Sequence, residues 1–223
     1  MKIAPNDVNV LLSAAGFYSS VMRFADAARL LIRAEQIAPT NEDVLVERAR
    51  LLQAQGDYGD SVLPLKRLFL LDPESYAFHL ACTLHHLGDT EEAAKVVSGL
   101  IVKPVTRMNS IARGWYQFLV GETEKAIDDT IAGMKEYAEV VDFRNLAVFC
   151  LSLNRVDKAG DALRQFIANV HQPLDLFFFV RDLEEYASRF PSRAADEFKL
   201  ALLIKLREMM ATVVGSAPGA AKP

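Results

Sequence analysis

A short turn recurs along this chain at nearly constant intervals, and no other feature of the sequence restricts the fold as strongly. Its cleanest copy is Leu87-Gly88-Asp89-Thr90-Glu91-Glu92-Ala93-Ala94, which reads as a helix end, a tight Gly-Asp turn and a helix start. Variants begin at Met22, Gly56, Gly121 and Asn154, so together with Gly88 the turns are spaced 34, 32, 33 and 33 residues apart. The small residues Ala27, Ser61, Ala93, Ala126 and Ala159 keep the same intervals. A period near 34 residues marks stacked helical hairpins, in which each unit buries its apolar face on its neighbours. The expected fold is therefore all-α, a right-handed superhelical solenoid of antiparallel helix pairs.

Apolar spacing places the helices. Residues 8–18 form the first, and Ala27, Leu31 and Ala34 lie at i, i+4 and i+7 on one face of the second, which stops at Pro39. Leu45, Ala49 and Leu52 with Leu65 and Leu68 mark the next pair, closed by Asp72-Pro73. Ala77, Leu80, Ala81 and Leu84, then Ala93, Val97 and Leu100, make the third pair, which ends at Pro104. Asp89 and Glu92 have the spacing of a capping box there. A fourth pair spans 107–137; Thr130 and Gly133 weaken its second helix, because Gly inside a helix costs roughly 1 kcal/mol against Ala. A fifth spans 140–170, 175–190 reads as one helix, and 193–214 as a last long one whose Phe198, Leu202 and Met209 share a face. Residues 1–171 are thus expected to hold five hairpins, 172–214 a worn sixth pair or a cap, and 215–223 a flexible tail.

Charge removes one class of function. The chain carries 25 basic and 29 acidic residues, interspersed, for a net charge of −4, and lacks the basic footprint of a nucleic-acid binder. Cys82 and Cys150 fall in the third and fifth units, too far apart for a disulfide in a stacked array. Pro5 and polar neighbours interrupt the start before any signal-type apolar stretch, and no apolar run reaches the roughly 20 residues that span a bilayer. The expectation is a cytoplasmic protein without membrane insertion.

The register of these residues resembles the tetratricopeptide repeat family. Leu11, Ala14-Ala15, Tyr18, Ala27, Leu31, Ala34 and Pro39 fill family positions in the first unit. Leu45, Ala49, Leu52, Ser61, Leu65, Leu68 and Pro73 do so in the second, while the family's signature Trp is missing throughout. The resemblance implies that the first helices of successive units line a concave face that holds a partner-protein segment. Carried over by register, that face takes Arg50, Phe78, His85, Met108, Ile111, Trp115 and Phe118. Trp115 is the only Trp, and with Met108, Ile111 and Phe118 it forms an apolar stripe at helical spacing. The family's carboxylate clamp is not matched, since Leu12, Gly16, Glu47, Ser75 and His79 occupy its places. The acidic balance, small size and apolar groove also resemble, loosely, the repeat chaperones of type III secretion.

Chemistry is sparse. His79, Cys82 and His86 share one helix face and could offer three ligands to zinc, but no second cluster matches them, so polar groove residues are the preferred reading and no metal or cofactor is expected. No phosphate loop, nucleophile elbow or paired-carboxylate motif is present. The sequence therefore points to a non-enzymatic scaffold or chaperone that binds a protein segment. The alternative is a self-associating structural subunit of a secretion system or another multiprotein assembly.

Overall fold

The recurrent turn has one backbone geometry throughout. In the computed structural model, which describes residues 7–215, Met22, Gly56, Gly88, Gly121 and Asn154 are left-handed, with φ of 60°, 82°, 83°, 89° and 57°. No other described residue has positive φ. The next residue in each turn (Arg23, Asp57, Asp89, Glu122 or Arg155) has φ between −82° and −89° and ψ between 50° and 63°. One left-handed residue followed by this bent one reverses the chain within three residues. Glycine adopts the first conformation without steric cost, whereas Met22 and Asn154 hold it against their Cβ atoms.

Helical hairpins follow from these turns. α1 (Val8–Ser20) pairs with α2 (Phe24–Ile37), α3 (Glu42–Gln55) with α4 (Tyr58–Leu71), and α5 (Pro73–His86) with α6 (Thr90–Val97). α7 (Arg107–Leu119) pairs with α8 (Thr123–Met134), and α9 (Val140–Ser152) with α10 (Val156–Asn169). α11 (Pro173–Glu185) leads through a 3₁₀ turn at Ala187–Arg189 to α12 (Ser192–Gly215), which packs on it. The fold is all-α and helical-repeat in kind, with no strand among the described residues. None of the described helices is long and apolar enough to cross a membrane.

The chain divides into two compact units, one ending at Tyr137 and the other starting at Ala138. In the first, small residues at the helix crossings let the backbones approach. Ala15, Ala27 and Leu31 pack with Leu51, while Ala49, Ala77, Ala81 and Ala93 pack among Leu45, Leu65, Leu68, Leu80 and Leu84. In the second, Phe166 meets Phe179 edge-on at 5.0 Å, and Arg144 pairs with Asp182 at 3.3 Å with both side chains largely buried.

Several boundaries differ from the sequence reading. Pro73 and Pro173 begin helices; each occupies the first turn, where a missing N–H costs nothing, and Asp72 caps Glu74 and Ser75 ahead of Pro73. α6 ends at Val97, well short of Pro104, where the Ser98 hydroxyl donates to the Lys95 carbonyl and Gly99 follows. Asp89 caps the Glu92 amide, but the Glu92 carboxylate lies 3.9 Å from Lys95, so no capping box closes. The helix expected over 175–190 stops at Glu185, and α12 extends through Gly215, the first residue of the expected tail. The rest of that tail lies outside the described residues.

Candidate functional site

The first helices of the first unit lie side by side, joined by contacts that echo the repeat. Gln53 on α3 donates to Thr83 on α5 at 2.9 Å, and Tyr76 on α5 donates to Glu42 on α3 at 2.8 Å. Cys82 on α5 donates through Sγ to the Ala112 carbonyl on α7 at 3.5 Å. These partners are 30, 34 and 30 residues apart, so the period itself is the signal that could find them. The α5 side chains in these contacts, Tyr76, Cys82 and Thr83, are uncharged. Burial lowers the pKa of His79 below the usual imidazole value and pushes the Cys82 thiol up to about 12. Burial, with Glu42 as acceptor, also holds the Tyr76 hydroxyl up at about 12.

α7 is the distinctive one of these first helices. Ten of its 13 residues are buried, and the three that reach water are Met108, Ile111 and Trp115. They occupy positions i, i+3 and i+7, hence one face, and Met108 is 73% exposed. The Trp115 ring stands edge-on against Phe118 at 5.4 Å, which fixes its orientation.

Ala112, Tyr116, Phe118 and Leu119 of α7 are buried as apolar core, and a polar cluster is buried beside them. Arg113 donates from Nε to Asp129 at 2.8 Å and from Nη1 to the Lys103 carbonyl at 2.7 Å. Gln117 donates to the same Asp129 oxygen at 2.7 Å. Burial raises the Asp129 pKa above the ordinary carboxylate value, and the adjacent Arg113 opposes that rise. Ser110 presses on Gly133, where an added Cβ would lie 2.2 Å from its Oγ. The expected weak point in α8 is therefore a fitted contact: the helix runs unbroken from Thr123 to Met134 because Gly133 admits Ser110. The Arg113–Asp129 pair satisfies itself and fixes α7; it is not aimed at a substrate.

The seven residues assigned to the groove separate in the structure. Met108, Ile111 and Trp115 come together on the accessible face of α7. Phe118, 0% exposed, and Phe78, 1% exposed, are core residues and offer no surface to a partner. Phe78 packs on Tyr116 at 6.1 Å and beneath Arg113 at 5.9 Å, buried between α5 and α7. Arg50 is exposed on α3 and lies 3.7 Å from Glu47, while His85 is half-buried in the last turn of α5. His86 stacks on Tyr58 at 4.4 Å, away from any ligand set with His79 and Cys82. Among the described residues no three His, Cys, Asp or Glu side chains gather as metal ligands.

At the sequence level the chain matches no family model and no curated protein. Solved structures do resemble it. A chain in the crystal structure of the APC/C hetero-tetramer Cut9-Hcn1 is 15% identical, with a TM-score of 0.59 over 95% of this chain and 43% of that one. This protein thus spans less than half the length of that chain. PilW, described as a widely conserved type IV pilus biogenesis factor, is 15% identical, with a TM-score of 0.50 over 93% of this chain and 98% of its own. At such identity the likeness establishes the helical-repeat fold alone.

Proposed function

We propose that the chain is a non-catalytic binding module that holds an apolar segment of a partner protein against the Met108–Ile111–Trp115 face of α7. One observation carries this reading: a helix buried almost all round presents only apolar side chains to water. Contiguous exposed apolar surface marks interaction sites, and a positioned Trp is a typical anchor. On the neighbouring α5, burial favours the uncharged forms of Cys82 and His79, which suits an apolar segment better than a charged one. Arg50, an exposed cation on α3, would orient an acidic flank of that segment.

Within this reading the finer assignment is a dedicated chaperone, such as those of type III secretion, or an assembly adaptor in the cytoplasm. Small size and acidic balance support the former. Replacing Trp115 and Ile111 together by Ala should cut capture of the native partner at least tenfold while the helical circular-dichroism signal persists. Undiminished capture would discard the α7 face. A chaperone should then solubilise one secreted client on co-expression, whereas an adaptor should co-purify with a larger complex.

A further inference from the structure

The last helix is apolar on two opposite sides, and only one is covered. Ala194, Phe198 and Leu202 are buried, facing the rest of the second unit, where α12 packs on α11 and α10. On the other side Leu200, Leu203 and Ile204 are 61%, 43% and 53% exposed. Single exposed leucines are ordinary, but these three form one stripe at positions i, i+3 and i+4. Charged residues bracket the stripe along the same face: Asp196 and Glu197 before it, Arg207 and Glu208 after it, all exposed.

The charge order makes the stripe complementary to itself. Asp196 and Arg207 lie on the same flank of the helix as Leu203, 11 residues apart. Their midpoint in the sequence is also the midpoint of Leu200 and Leu203. An antiparallel copy related by a two-fold axis through that point therefore sets Leu200 against Leu203 and Asp196 against Arg207, twice over. Neither Asp196 nor Arg207 has an ion-pair partner among the described residues, so both are available for this contact. Glu197, on the opposite flank, is already paired with Arg193 at 3.0 Å, and Lys199 with Glu184, so the nearby charges do not compete for them.

We infer that the occupant of this face is a second copy of the chain, paired through antiparallel α12 helices in an isologous dimer. The dimer surface belongs to the second unit, and the inference does not depend on the reading given above for the α7 face.

Sedimentation of the full chain over a concentration series tests the inference. The wild-type chain should move from monomer to dimer as concentration rises. Leu203→Glu should remove the dimer, because it opposes two carboxylates to apolar centres. Asp196→Arg should weaken dimerisation about tenfold or more by placing like charges in contact, and adding Arg207→Asp should restore it. Circular dichroism should be unchanged throughout, since all three positions are exposed. A wild-type chain that stays monomeric, a dimer that survives Leu203→Glu, or a double charge swap that fails to restore association would each overturn the inference. Partner capture by Leu203→Glu should equal wild type, which separates failure here from failure of the α7 face.

Discussion

The third and fourth hairpins share a period and a turn but not an interior. Between α5 and α6 the contact is made by Ala77, Leu80, Ala81, Leu84, Ala93 and Val97, all apolar. Between α7 and α8 the polar residues Ser110, Arg113, Gln117, Asp129 and Thr130 are buried alongside the apolar Phe118, Leu119, Ala126 and Ile127, with Ser110 against Gly133. Both hairpins reverse through a left-handed glycine, Gly88 or Gly121, followed by a residue of nearly identical backbone angles. The turn sets the architecture, and the interior is then free to be wholly apolar or to include a hydrogen-bonded cluster. The consequences differ. An apolar interior restricts its helices through packing alone, whereas the directional hydrogen bonds from Arg113 and Gln117 to Asp129 also hold the rotation of α7 and so which three side chains it shows to water.

The largest effect should come from breaking that cluster. Arg113→Ala or Asp129→Ala leaves a buried partner without its counter-charge and should cost roughly 3–5 kcal/mol in urea unfolding. The comparable truncation in the third hairpin, Leu80→Ala, should cost roughly 2–5 kcal/mol by cavity formation. The two hairpins part on rescue. Arg113→Leu combined with Asp129→Leu should recover most of the loss, because an apolar pair needs no partner. A double variant as unstable as the single ones would show that the cluster's hydrogen bonds to the 100–103 segment, and not its charges, hold α7.

A smaller effect separates two helical glycines of opposite meaning. Gly133→Ala drives a methyl into Ser110 and should destabilise by about 1–3 kcal/mol, with Ser110→Gly relieving part of that. Gly160→Ala, in α10, meets only the end of the Arg164 side chain at 3.6 Å and should stabilise by about 0.5–1 kcal/mol. Thermal unfolding of the two variants reads both signs, and equal signs would contradict the packing described for α8.

The two hairpins also differ in how far their amino-acid sequence discloses them. All five turn positions are legible because each needs a left-handed residue, and Gly or Asn supplies it at four of them; Met22 is marked by interval alone. Helix faces are legible for a similar reason, since Ala27, Leu31 and Ala34 repeat at helical spacing and are all fully buried. Pro73 misleads, because a proline is as compatible with a helix start as with an end. The polar interior of the fourth hairpin is hidden, because Arg113 and Asp129 are 16 residues apart and charges ordinarily face water. Phe78 and Phe118 fall on the expected groove because helical spacing gives a residue's angle on its helix but not which neighbour covers that angle. The same gap conceals the exposed stripe of α12.

Proximity tests the α7 face most directly. A photo-crosslinking phenylalanine derivative placed at Met108 should give a discrete adduct with the native partner on illumination. The same group at Lys66, exposed on α4, should give none. Adduct formation at position 108 that is lost on adding Trp115→Ala is the predicted result. An adduct from position 66 with none from position 108 would contradict it and move the binding surface to the second helices.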